Sequence, residues 1–169
     1  MLDRSLYTID GDRDAPGLRE AQFARAVADV FALLRPLMSF DETGGVLISR
    51  IDGHEHVTLV GGFLKYTPES CYRIAREKLT RTFAMRRRHG HMSAWQSHNP
   101  AMKKFAGAFV IADNFGVSFS GLSEHWDEVI LAIAAWLCGF IEQSVMEMLL
   151  AISGNPHVQK SMDLVGKAA

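Results

Sequence analysis

No stretch of this 169-residue chain is apolar enough to cross a bilayer. Its longest uninterrupted run, residues 129–141, stops at Glu142, short of the ~18 residues a spanning helix needs. Cysteine is scarce: Cys71 and Cys138 lie in apolar-periodic surroundings, which predicts reduced core thiols rather than a disulfide. The opening residues MLDRSLYTIDGDRD are acidic and carry no apolar leader core, so a cytoplasmic protein without a secretory signal is expected. Also missing are a glycine-rich phosphate loop, a nucleophile elbow, a Ser/His/Asp order and paired zinc-ligand spacings, so no metal centre is expected. Core material is plentiful. Hydrophobic residues make up 48% of the chain, with 10 Phe and 3 Trp, which argues against disorder over most of its length, and the length itself predicts one domain.

The net charge of -1 hides an uneven distribution. Residues 1–71 carry 7 basic and 11 acidic side chains, residues 72–104 carry 9 basic against Glu77 alone, and residues 105–169 carry 2 against 7. The middle segment reads as an anion-binding face, or as a solvated helix surface pairing with the acidic thirds of the same or another subunit. Arg86, Arg87 and Arg88 with Trp95 offer phosphate contacts, but no recognised nucleic-acid fold accompanies them, and nucleic acid is not an expected partner.

Residues 1–14 are polar and aperiodic and read as a flexible N-terminal arm. Pro16 suits a first helical turn, and Phe23, Val27, Val30, Phe31 and Leu34 share one face of a helix that Pro36 ends. Gly44-Gly45 opens a strand over 46–51, and Asp52-Gly53 turns it into a second over 56–60. Thr67-Pro68-Glu69 starts an amphipathic helix to about Met85, basic on its outer face. Residues 86–104, with Gly90 and Pro100, read as a long connection. A second hairpin follows, strands 109–111 and 117–119 around a four-residue loop, and then a helix that Ser123 caps and that runs to Ser153. Around Trp136 this helix is apolar on nearly every side; a subunit interface is one way to bury that, and a homo-oligomer is expected. Residues 156–169 read as a polar tail, leaving 15–155 as the domain. Two hairpins separated by a helix predict the α+β class: a single antiparallel sheet with helices packed on its faces, a profilin-like layer architecture.

Three motifs carry a family likeness. VLISRIDGHEHVTLVGGF at residues 46–63, IAREKLT at 74–80, and GVSFSG at 116–121 followed by Asp127-Glu128 together resemble the GlcG/HbpS-like family. It is also called the haem-degrading domain family and includes the C-terminal domain of the corrinoid adenosyltransferase PduO. The resemblance covers roughly residues 20–140. It implies an α+β fold and a pocket in which His56 takes the family's His/Asn strand position, Lys78 its helix lysine, and Ser118, Ser120 and Gly121 its Gly-Val-Ser-Gly strand end. Haem is the ligand it suggests.

Read on their own chemistry, His54 and His56 alternate along a strand and so share a face. Such a pair can hold a metal or a haem iron, or stand exposed beside a turn. Lys78 lies towards the core side of its helix, where it can meet a ligand carboxylate, serve as an acid/base group, or pair with Asp127 or Glu128. Ser118, Ser120 and Gly121 end a strand before a helix N-terminus that favours an anion. Arg86, Arg87 and Arg88 cannot all be buried without partners and read as a mobile cationic lid or a subunit-bridging loop. The expected function is a cytoplasmic, oligomeric domain that binds an anionic, carboxylate-bearing small molecule. Two alternatives are an enzyme acting on a small organic acid with Lys78 or His56 as acid/base, and an adaptor that binds a partner through basic residues 72–104.

Overall fold

The structure is a computed structural model that describes Leu6, Tyr7 and residues 17–168. Helix α1 (Leu18–Leu34) buries Phe23, Ala26, Val27, Val30, Phe31 and Leu34, the face its periodicity predicts, and Pro36 stands in the 3-10 turn that ends it. Strands β1 (Gly44–Ile51) and β2 (His54–Gly61) join through Asp52 (φ 49) and Gly53 (φ 81), the two positive angles a type I′ hairpin requires. Helix α2 (Pro68–His89) starts where the Ser70 N–H donates to Thr67 Oγ1 at 3.2 Å and stops at Gly90, whose N–H donates to Arg86 O. Strands β3 (Ala108–Ala112) and β4 (Phe115–Ser120) form the second hairpin, and helices α3 (Glu124–Leu137), α4 (Gln143–Ile152) and α5 (Val158–Ala168) complete the chain.

The four strands make one antiparallel sheet in the order β2-β1-β4-β3, so the α+β layer architecture stands as expected. Alternation along β1 divides its side chains between two layers. Val46 and Ile48 pack under α2 with Cys71, Ala75 and Leu79. Leu47, with Val60, Val117 and Phe119 of the neighbouring strands, packs on the opposite face against α1 and α3. No helix among the described residues is long and apolar enough to cross a membrane.

Five expectations need correction. The helix predicted from Ser123 to Ser153 is two helices, because Gly139 adopts φ 72 after Leu137 and the chain turns before Gln143. The apolar circumference of α3 is covered within the chain, by α1, α4 and the sheet, and so calls for no second subunit. The predicted tail contains α5, which buries Ser161 and Val165 and packs on α1. The second hairpin turns on two residues, Asp113 and Asn114, with a bulge between Val110 and Ala112 taking up the slack. Finally, Arg86, Arg87 and Arg88 form the last turn of α2, where cations complement the helix dipole, and are not part of a lid loop. The predicted N-terminal arm lies outside the described residues apart from Leu6 and Tyr7; Tyr7 is buried, and its hydroxyl donates to Asp29 of α1 at 2.6 Å.

Candidate functional site

A cavity of about 430 Å³ opens where the connection after β2, the inner side of α2 and the turn from β4 into α3 meet, a size within the usual range for small-molecule pockets. At its base lies Lys78, 1% exposed, whose Nζ donates to Asp127 Oδ2 at 2.8 Å and to the Phe119 carbonyl at 3.0 Å. An ammonium has three N–H donors, and these two bonds use two of them. Lys78 reaches Asp127 past Gly107, where a Cβ would stand 2.6 Å from the Asp127 Cβ and 3.1 Å from Nζ. Gly107 also has φ 96, so the position admits no side chain on either count. Burial pushes the Asp127 carboxyl up to about 7, while the Lys78 charge and the Leu122 N–H act the other way.

The walls are set by backbone geometry. Gly121 has φ 147 and approaches β1 so closely that a Cβ would fall 2.3 Å from Gly44 O. Ser120 and Gly121 line one side, Lys65 and Tyr66 the rim, and Phe105 and Glu124 the other side. The sequence therefore brings Lys78, Ser120 and Gly121 together as predicted. Ser118 is buried nearby in β4 and donates to Gly107 O at 3.2 Å, which makes it part of the frame.

The histidines are elsewhere. His56 Nε2 lies 3.3 Å from Glu20 of α1, and the register puts His56 opposite Ser49, on the sheet face away from α2. His54 has the same parity and shares that face, so the predicted pairing of His54 with His56 holds in direction, while neither joins the Lys78 cavity. Arg86 pairs with Asp113 at 3.5 Å, and Arg87 and Arg88 are exposed; none of the three lines the cavity. Nor is the start of α3 free for an anion. The Ser123 N–H donates to Glu42 at 2.8 Å, the Leu122 N–H to Asp127, and Glu124 takes the Ala106 N–H from the far wall. Three carboxylates of the chain itself already satisfy that corner.

Haem, suggested by the family resemblance, would need an axial ligand. The cavity offers Tyr66 and Cys71, and burial pushes the Cys71 thiol up, away from the thiolate that binds metal. With no histidine in the cavity, the residues do not fit histidine ligation of a haem iron.

Sequence reasoning missed Arg81, one arginine among nine basic residues. It is buried, pairs with Glu77 at 2.8 Å, donates to Ala94 O at 3.1 Å, and also donates to Ser97 Oγ and Phe105 O. One guanidinium thus fixes residues 93–105 against α2, and Phe105 against the cavity. The connection that sequence reads as long and loose is bolted down.

A second missed cluster stands behind Glu124. His98 Nε2–H donates to Glu124 Oε2 at 2.8 Å, and the ring stacks on Trp95 (4.4 Å, 5°), which stacks on His125 (4.8 Å); His157 in turn stacks on Trp126 (3.9 Å, 4°). Burial lowers the affinity of His125 and His157 for protons. The unfolded imidazole takes a proton near 6.5 and the folded one only at lower pH, so stability falls as pH drops through that window. Buried Asp127 and Glu128, shifted upwards by burial, respond in the opposite sense, so the effect must be isolated. His157→Phe keeps the stack and removes the proton. Urea titrations are expected to show wild type losing stability relative to His157→Phe between pH 6.5 and 5, and a constant difference would contradict the assignment.

No family model, no curated protein and no solved structure matches the chain.

Proposed function

We propose that the cavity at Lys78 binds a small molecule carrying a carboxylate. The observation that carries this reading is the buried ammonium itself: Lys78 lines a cavity and has one N–H donor beyond its two bonds to Phe119 O and Asp127. Lys65, which pairs with Asp41 at 3.4 Å on the rim, is the second cation within reach of a ligand. Burial biases Asp127 towards its neutral form, which leaves more of the Lys78 charge to act on the ligand. The resemblance to the GlcG/HbpS-like family supports a small-molecule pocket at this place, built around the same helix lysine and strand end.

The test is isothermal titration with benzoate and succinate against benzamide and succinamide. Carboxylates are expected to bind and amides to bind weakly, and Lys65→Glu to weaken carboxylate binding about tenfold, as for loss of one charge-assisted hydrogen bond. Equal binding of acids and amides, or indifference to Lys65→Glu, would overturn the reading.

A second reading, an enzyme acting on a small organic acid, draws on the buried Lys78–Asp127 pair in the cavity, whose carboxyl burial pushes up. Of the two acid/base candidates, Lys78 lies in the cavity, paired with Asp127, and His56 does not.

A further inference from the structure

The two edges of the sheet are treated differently. The edge of β3 is closed: the Val110 N–H donates to Met92 O, and Ser93 bridges Phe109. The edge of β2 is open along eight residues, with no proline and no bulge, and no other described backbone group meets it. Its polarity can be read from the turn. In a two-residue I′ hairpin the closing pair, here Ile51 and His54, is hydrogen bonded, so His54, His56, Thr58 and Val60 turn their backbone groups towards β1. Glu55, Val57 and Leu59 turn theirs outwards.

The side chains of those same three residues point to the α2 face of the sheet, since they pair with Arg50, Ile48 and Val46. Helix α2 lies over β1, β4 and β3 and reaches β2 at Glu55, leaving Val57 48% and Leu59 60% exposed. Beside this strip the outer side of α2 carries a hollow of about 750 Å³. Arg50, Arg73, Arg76 and Arg81 line it, against Glu69 and Glu77. Arg81 is occupied by Glu77, and Arg50 by Glu55 at 2.8 Å. Arg73 has no ion-pair partner among the described residues, and Arg76 only a 3.7 Å approach to Glu55. Glu55 already accepts from Arg50 and the Tyr72 hydroxyl and lies 3.7 Å from Arg76, so a carboxylate is an anion that these donors suit.

We propose that β2 and the flank of α2 form a docking site for an extended, acidic segment of a partner protein, added to the sheet as a fifth strand. Its backbone pairs with Glu55, Val57 and Leu59. Alternate side chains lie over the α2 face, apolar ones against Val57 and Leu59 and carboxylates against Arg73 and Arg76. The free edge supplies affinity that is blind to sequence, and the arginines select the charge. This is a different surface from the Lys78 cavity and independent of what that cavity binds.

Panning a random displayed-peptide library against the intact protein, followed by fluorescence anisotropy of the selected peptides, tests it. The selected peptides are expected to carry Asp or Glu at alternate positions and to perturb the amide resonances of residues 55, 57 and 59. Arg73→Glu with Arg76→Glu should weaken them at least about tenfold. Val57→Pro removes an outward donor without taking a bond from β1, so it should abolish binding while circular dichroism and melting temperature hold. Selection of no peptide, selection without acidic residues, or binding that survives Val57→Pro would overturn the proposal. So would light scattering that finds a dimer which Val57→Pro splits, since a second copy would then own the edge.

Discussion

Lys78→Met is expected to destabilise the fold by ~3–5 kcal/mol, because it leaves Asp127 buried without its counter-charge. Both members of the pair are almost wholly excluded from solvent, at 2% and 1% side-chain exposure, so water cannot compensate. Asp127 escapes part of the cost by taking up a proton, and the loss should therefore be larger at pH 8 than at pH 5. Its folded carboxyl titrates near 7 in the presence of Lys78, and removing that cation moves it higher still. Lys78→Met combined with Asp127→Leu removes the charge from both sides and should recover most of the stability. Urea denaturation of the two variants at both pH values is the measurement. A single variant as stable as wild type at pH 8 would mean that the pair is solvated.

Arg81→Ala should be the second most damaging change in the polar interior, costing about 3 kcal/mol or more. The loss is local in origin: the carbonyls of Ala94 and Phe105 and the Ser97 hydroxyl lose their donor together, and Glu77 loses its partner. Arg81→Lys is expected to recover little, because an ammonium cannot span acceptors that a planar fork reaches at once. Trypsin provides the local readout. Cleavage after the exposed Lys103 should accelerate in Arg81→Lys well before global unfolding, and unchanged cleavage would mean that residues 93–105 are held by something else.

Both changes concern residues whose importance is unequally visible in the chain. Lys78 stands out because it interrupts an apolar helix face, and Asp127 is one of the two acids that the sequence offers it. Arg81 carries no such mark: it is spaced like the other basic residues of α2, and apart from Glu77 its partners lie 13 to 24 positions away in a stretch without periodicity. The hairpins were legible because Asp52-Gly53 and the strands around it obey local turn chemistry. The break between α3 and α4 was hidden by the apolar residues Phe140 and Ile141, and its only signal was Gly139. Helix α5 was missed although Val158, Met162 and Val165 stand at spacings of four and three, because polar residues outnumber them. The shared pocket of His56 and Lys78 failed for a geometric reason. Strand parity, counted from the Asp52-Gly53 turn, assigns His56 to the side of the sheet opposite the lysine, and a family motif does not state parity.

The sheet also divides the molecule by what it tolerates. Behind it, α1, α3 and α4 share a broad apolar contact in which one aliphatic residue can stand in for another of like volume at small cost. In front, α2 and β1 share a cluster of five buried apolar residues, two cations of α2 are buried beside them, and each cation is matched to acceptors at fixed places. Drift in sequence is therefore cheap on one side and coupled on the other. Changes in α2 survive only in company with changes at Asp127, Glu77 or the 93–105 segment, so the front layer should vary in linked sets while the back layer varies residue by residue.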